Sequence, residues 1–342
     1  MNTAPTLARP VFVHLHRLTD GQGLFEHAQY GNPRPEHGYC LDDVSRALVV
    51  ICREPQPGAA LQALGRHYLD FTLSAIETDG SCHNRMSIDG AWSDDPAVED
   101  WWGRALWGLG VAAAHAPTHA MRARALLGFR TAARARSPHP RAMAFAALGA
   151  GELLISRGGD ELAAALLLTD AVQAIGPAGD DPAWPWPQPR LTYGNGSIVE
   201  ALLLAGSALP DPAAQERGLQ LLEFLLEIET HEGHLSVTPV GGRGPADPCP
   251  GFDQQPIEVA AIADACARAY EITGDRRWLR GVRMAWSWFT GDNDSATVMF
   301  DPETGAGYDG LMRDGCNLNQ GAESTLALLS TAQHAQRLAL LR

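Results

Sequence analysis

Lysine is missing altogether from this 342-residue sequence, so all 26 of its basic residues are arginine. Schiff-base chemistry, a pyridoxal-phosphate lysine and a Walker-type phosphate loop each need a lysine amine, and all three are excluded. The absence itself reads as coding bias. Positive charge is scarce as well: 26 basic against 40 acidic residues leave a formal charge of −14. Nucleic acid and anionic membrane surfaces both require basic patches, so neither is expected as a partner, whereas a neutral sugar or polyol is compatible. No apolar run reaches the length of a membrane-spanning helix. Residues 1–10 lack the charged start and apolar stretch of a secretory signal, and the cytoplasm is the expected compartment. The six cysteines show no CxxC spacing. They read as buried free thiols, not as zinc ligands or a disulfide frame.

What is present is apolar: 45% of residues are hydrophobic. A period of 3.6 marks helical stretches at about 40–53, 59–76, 98–115, 118–136, 140–157, 160–176, 195–208, 211–228, 256–273, 275–290 and 320–341. Short turns alternate with long loops rich in Gly, Pro, Asp and Asn. Strand signals are confined to those loops, as small hairpins near Asp79, near Asp89 and over Glu232-Gly233-His234-Leu235-Ser236-Val237.

Every second stretch opens with polar residues and then turns almost wholly apolar. The six are DDVSRALVV, EDWWGRALWGLG, SPHPRAMAFAALGAG, NGSIVEALLLAG, QQPIEVAAIADAC and NQGAESTLALLS. A helix apolar on all sides is a buried helix. The intervening stretches, such as Gln62 to Ser74 and Glu216 to Glu227, are amphipathic and suit an outer layer. The expected fold is therefore all-α, an (α/α)6 toroid with small β-hairpins in its loops, occupying residues 1–342 as a single domain. One outer helix is missing from the count, and the segment from Pro10 to Thr19 is the candidate that closes the ring.

In such a ring the inner helices all start on one face, where their polar first turns meet the long loops. The residues brought together include Asp42, Asp43 and Arg46; Glu99, Asp100, Trp102, Arg104 and Trp107; and His139 and Arg141. The later repeats add Tyr193, Asn195, Glu200, Asp253, Gln255, Glu258, Asn319, Gln320 and Glu323, with His83, Arg85, Trp184, Trp186, Tyr308 and Asp309 in nearby loops. Carboxylates and amides hydrogen-bond hydroxyls, and flat rings stack on the apolar face of a pyranose. Two acids can share general acid and base work across a glycosidic bond. Each has a plainer reading. Asp42–Asp43 and Glu99–Asp100 stand where acids cap helices, Arg46 and Arg104 can pair with them, and the tryptophans can be core. Glu200, Glu258 and Glu323 resist the capping explanation, because they lie inside apolar runs where a carboxylate must be paired or functional.

His231-Glu-Gly-His234 is one residue short of HExxH and lies in a loop, without the i, i+4 geometry of a helical zinc site. It reads as a surface turn; no metal and no cofactor are expected.

The segments GLFEHA (23–28), HGYCLDDVSRAL (37–48), EDWWGRALW (99–107), FDQQPIEVAAIADA (252–265) and NQGAESTLALL (319–329) together resemble a family of bacterial six-hairpin, glycosidase-like proteins. These occur alone or as the C-terminal module of glycosyltransferase-type chains. The resemblance runs from about Gly21 to Leu329 and implies an (α/α)6 fold with a role in glycan metabolism on mannose-type sugars. The sequence departs from the family pattern in WPWPQPRLTYGNGS, where Gln188 and Gly194 stand in place of two acids.

The leading expectation is a glycoside hydrolase acting on a small glycan, with Asp43, Asp100, Asp253 and Glu258 as acid/base candidates. Asp42, Arg85, Trp102, Arg104, Tyr193, Asn195, Gln255, Asp309 and Glu323 would bind the sugar. A sugar epimerase or isomerase is the second reading, weakened because only His139 sits at a helix start, with His83 in a loop. A non-catalytic glycan-binding or assembly module serving a glycosyltransferase is the third, favoured by the two missing acids.

Overall fold

A computed structural model describes residues 10–339. The inner helices are α2 (Leu41–Arg53), α4 (Asp100–His115), α6 (Pro140–Ser156), α8 (Asn195–Ala208), α10 (Pro256–Thr273) and α12 (Ala322–Ala339). Each packs on the next, and α12 packs back on α2, so the ring is closed. The outer helices α3 (Ala59–Ser74), α5 (His119–Ala132), α7 (Leu162–Ile175), α9 (Pro212–Ile228) and α11 (Trp278–Phe289) each lie against the inner helix that precedes them. The sixth outer helix is α1 (Val13–Arg17), which packs on α12. His14 ties it there: its ring Nε2 donates to the Gln320 carbonyl at 2.8 Å, and its backbone N–H donates to Thr304 O at 2.9 Å. The fold is thus the (α/α)6 toroid, with the N-terminal segment closing the ring. Among the described residues, no helix is long and apolar enough to cross a membrane.

Burial follows the sequence pattern. In α6 every residue from Arg141 to Gly151 is buried, whereas α9 buries only five positions along one face. Proline opens α6, α9 and α10 at the first helical positions, where its missing N–H costs nothing. Outer helices α5 and α9 are capped by their own Thr118 and Asp211 side chains. The starts of α2, α4, α6, α8 and α10 carry no such self-cap, so their N–H groups are left for partners on the shared face.

The most extensive contact in the ring is between α4 and α6, and small residues permit it. A Cβ on Gly103 would meet Ala142 O, one on Gly110 would meet Gly149 O, and one on Gly149 would meet Leu106 O. These obstacles are backbone atoms, which cannot rotate away.

Five two-stranded antiparallel hairpins or ribbons decorate the loops. The turn at Glu232–Gly233 has both residues at positive φ, 50° and 96°, and joins Thr230–His231 to His234–Leu235. That is the I′ pattern favoured in tight hairpins. The expected turns near Asp79 and Asp89 are present, closed by single bridges Ile76↔Cys82 and Met86↔Trp92. Two ribbons at 300–307 and 310–317 were not anticipated. The second turns at Arg313–Asp314, between the paired residues Met312 and Gly315. Among the cysteines, Cys40, Cys52, Cys82 and Cys266 are buried free thiols as expected, whereas Cys249 is exposed and Cys316 half-buried.

Gly149→Ala is expected to cost about 1–3 kcal/mol, the range for overpacking a tight interior. Gly21→Ala, with nothing within 4 Å of the added carbon, is expected to stay within about 0.5 kcal/mol of the parent. Urea midpoints of the two variants check this, and equal stability of both would contradict the account of the α4–α6 contact.

Candidate functional site

The starts of the inner helices and the loops above them enclose a cavity of about 650 Å³. Its wall carries seven carboxylates (Glu26, Asp42, Asp43, Asp100, Glu258, Asp309 and Glu323) against three guanidiniums (Arg46, Arg85 and Arg104). Crowding seven acids requires that several be paired, and the pairing is specific.

Arg46 is the hub. One of its terminal nitrogens donates to Asp42 Oδ2 at 2.6 Å and to Asp43 Oδ1 at 2.5 Å; the other donates to Glu323 Oε2 at 2.7 Å. Arg46 therefore joins α2 to α12 at the point where the ring closes. Arg104 of α4 reaches the other oxygen of Asp42 at 2.6 Å, which extends the bridge by one hairpin. The Arg104 guanidinium also lies 4.0 Å above the Phe145 ring. On the loop side, Arg85 pairs with Glu26. Burial pushes the Asp43 carboxyl up to about 8, partly opposed by Arg46.

Across the cavity, Tyr193 and Gly194 precede α8. The Tyr193 hydroxyl donates to Asp100 Oδ2 at 2.5 Å. Gly194 N–H donates to Glu258 Oε1 at 2.5 Å, and Asn195 gives Oε2 both its backbone N–H and its side-chain Nδ2 at 3.3 Å. Burial nevertheless pushes Glu258 up to about 7, because the group is cut off from water. Arg141 of α6 supports the turn from behind, donating to Tyr193 O, Thr192 Oγ1 and Gln188 Oε1. Gly194 sits in this turn, and Arg141 ties Gln188, upstream of it, to the same turn.

The capping argument comes out reversed. Asp42, Asp43 and Glu99 cap nothing with their side chains: the first two pair with arginine, and Glu99 lies 3.2 Å from His139. Glu258, which seemed hard to explain as a cap, caps α8 from the neighbouring helix. Cross-ring capping is invisible in sequence because the partners are 63 and 64 residues apart.

Of the sequence-selected residues, Asp42, Asp43, Asp100, Glu258, Arg85, Arg104, Tyr193, Gln255, Asp309 and Glu323 line the cavity together. Three do not. Trp102 is wholly buried, with its indole N–H on Ala132 O at 3.1 Å, so it is core and cannot stack on a sugar. Trp101, the next residue round the helix, faces the cavity in its place. Asn195 is also fully buried and spends its amide on Glu258 and the 192–195 turn. Asp253 lies beside the wall, between the lining residues Val240 and Gln255. Its carboxyl is raised by burial and by nearby Asp309, and its Oδ1 has no hydrogen-bond partner. Trp107, Trp184 and Trp186 are core, and Glu200 lies in a separate buried network with Arg53, Glu152, Asp264 and Arg268. His139 and His83 are away from the cavity wall; His83 Nδ1 donates to Asp94 O at 2.7 Å.

The wall also contains residues that the sequence reading passed over: Glu26, His27, Asn84, Thr192 and Ser324. Glu26 and His27 belong to the GLFEHA segment, whose only distinctive signal was its place in the family resemblance. Glu26, Cys40 and Asp43 bring three ligand-type atoms within 4.8 Å of one another. They make a poor cation site. Asp43 is already bound to Arg46, Glu26 to Arg85, and burial with neighbouring acids keeps the Cys40 thiol protonated.

Four buried acids have folded values far above their unfolded ones: Asp43 and Glu200 at about 8, Glu229 and Glu258 at about 7. Between pH about 4.5 and about 7 the unfolded chain has released these protons while the native protein keeps them, so these four acids make stability fall as pH rises. Glu229→Gln, outside the cavity, is expected to flatten that fall. Denaturant unfolding at pH 5 and pH 7.5, roughly bracketing the window, checks it. Stability that rises across the window would contradict the assignment.

No family model matches the chain, and no curated protein matches it. Solved structures do. A cellobiose 2-epimerase from Bacillus thermoamylovorans superimposes with a TM-score of 0.68 at 12% identity, covering 96% of each chain. A D-mannose isomerase gives 0.67 at 12% identity over 95% of each chain. An α-mannanase of glycoside hydrolase family 76 from Bacteroides thetaiotaomicron gives 0.64 at 12% identity, covering 96% of this chain and 94% of that one. At such identities the likeness speaks for architecture: the chain has the six-hairpin, glycosidase-like fold.

Proposed function

We propose that this protein is a glycan-acting enzyme that hydrolyses a short, neutral, mannose-type oligosaccharide. The observation that carries the reading is the wall of the cavity: Glu258, whose buried carboxyl holds its proton up to about 7, sits across the Tyr193–Gly194 turn from Asp100. Hydrolysis needs one carboxylic acid to protonate the leaving oxygen and another carboxylate to serve the oxocarbenium-like transition state. Glu258 supplies the proton and Asp100 the negative charge. The Tyr193 hydroxyl fixes the orientation of Asp100, and the three N–H donors fix that of Glu258. Asp42, Arg104, Gln255, Asp309 and Glu323 offer hydroxyl partners around the rest of the wall. The excess of carboxylates over guanidiniums disfavours an anionic substrate. The structural neighbours titled as α-mannanase and mannose isomerase support a sugar of this class.

A second reading rests on His27, the one histidine among the described residues that faces the cavity. Sugar epimerisation or isomerisation needs a base able to take a proton beside a carbonyl, and imidazole suits that task near neutral pH. Neighbours with this fold include proteins titled as sugar epimerases. Gln188 and Gly194, in place of two acids, support the third reading, a binding module without turnover.

Incubation with mannose-type oligosaccharides in D2O separates the three. Hydrolysis gives new reducing ends; epimerisation gives deuterated sugar without cleavage, lost in His27→Ala; a binding module gives neither. For hydrolysis, kcat/KM is expected to fall above pH about 7 as Glu258 loses its proton. Glu258→Gln is expected to lower kcat by about 10²–10⁴-fold and to abolish that alkaline limb. Cleavage at the parental rate by the variant would remove Glu258 from the mechanism.

A further inference from the structure

The His231-Glu-Gly-His234 segment forms a hairpin, and the hairpin brings its two imidazoles together. On a helix the two imidazoles, three residues apart, would lie on one face in successive turns. In the hairpin, the I′ turn at Glu232–Gly233 places His231 directly opposite His234 in register. Directly opposed residues in an antiparallel pair project from the same face. Both rings reach one atom: His231 Nδ1 lies 3.2 Å and His234 Nε2 3.0 Å from Asp294 Oδ1. Asp294 comes from the loop after α11, so three ligand-type side chains from two separate segments converge.

We propose that His231, His234 and Asp294 form a zinc site outside the cavity, which braces one wall of it. Two imidazoles and a carboxylate are zinc's usual ligand types, and bonds of about 2.0–2.1 Å make a tetrahedral edge of roughly 3.3 Å. The two nitrogen–oxygen separations are within a few tenths of an ångström of that edge, and all three ligand atoms lie within 4.8 Å of one another. The rings are nearly perpendicular, at 88°, so each can direct a nitrogen lone pair inward without stacking on the other. His231 is one-third exposed, which leaves an entry path and a position for water as fourth ligand.

Charge supports the same conclusion. The Asp294 side chain is only 1% exposed, and among the described residues it forms ion-pair contacts only with these two histidines, none with an arginine. The carboxylate is also oriented from behind, as bound ligands are: Gln254 Nε2 donates to Asp294 Oδ2 at 2.6 Å. Gln254 itself is wholly buried, receives the Trp288 indole N–H at 3.2 Å, and exchanges backbone hydrogen bonds with Leu311. It stands between Asp253 and Gln255, so the metal would stiffen the segment that forms this side of the cavity.

The test is a zinc titration of the untagged, full-length protein after chelator treatment, followed by calorimetry and by the thermal midpoint. One equivalent of zinc is expected to bind and to raise the midpoint, because it binds the folded state. His231→Ala and the double variant H231A/H234A alter a surface hairpin whose turn, Glu232–Gly233, is exposed, and are expected to fold. Each should weaken zinc binding by more than the roughly 10–100-fold that losing an outer partner costs, and should abolish the zinc-dependent midpoint shift. Absence of stoichiometric binding by the parent, or one equivalent retained by H231A/H234A, would overturn the proposal. Neither outcome depends on glycan turnover.

Discussion

Arg46 is the interaction on which the arrangement rests. A closed ring of six inner helices brings the acidic first turns of α2, α4, α10 and α12 together, and unpaired carboxylates at such spacing would repel one another. By holding Asp42, Asp43 and Glu323 on one guanidinium, Arg46 turns that repulsion into a clasp between the first inner helix and the last. Arg104 extends the clasp to α4 through Asp42. Removing one partner from such a buried cluster costs more than the pairing itself contributes, because the remaining charges are stranded. The same residues that close the toroid therefore line its cavity, which couples the fold to the site.

The far end of the ring is handled differently. Arg53 donates to Asp264 at 2.7 Å, and Arg268 pairs with Glu152. Arg53 and His334 hold Asp264 low despite burial, while Glu200 in the same network is raised to about 8 by burial and by Asp264. Here the carboxylates are enclosed among helices and share their arginines within a packed interior. At the open end, Asp42 and Glu323 keep one side towards the cavity. The contrast explains why two sets of buried acids of similar composition serve different ends: one set pins the ring, while the other also presents oxygen atoms to a ligand.

The sequence made the architecture legible because inner and outer helices differ in periodicity. The inner ones are apolar all round and the outer ones amphipathic, so alternation alone implied the toroid, and Pro10–Thr19 was the natural candidate to close it. The face of the site was legible for the same reason, since polar residues at six buried starts must converge. What could not be read was direction. Trp101 and Trp102 are adjacent on a helix, and only packing decides that the second is core. Glu258 caps a helix that begins 63 residues earlier, and Asp294 meets a hairpin about 60 residues away. The His231–His234 segment is the surface turn its composition implied, but spacing alone could not show that the turn brings both rings onto Asp294.

The central claim is that the cavity bounded by Arg46, Arg104, Tyr193 and Glu258 holds a sugar. A crystal structure of the protein soaked with a mannose-type oligosaccharide tests it most directly. The account predicts a sugar ring in this cavity, with its hydroxyls on Asp42, Arg104 and Glu323 and its glycosidic oxygen facing Glu258. Sugar bound only elsewhere on the molecule, with the cavity left to solvent, would contradict it.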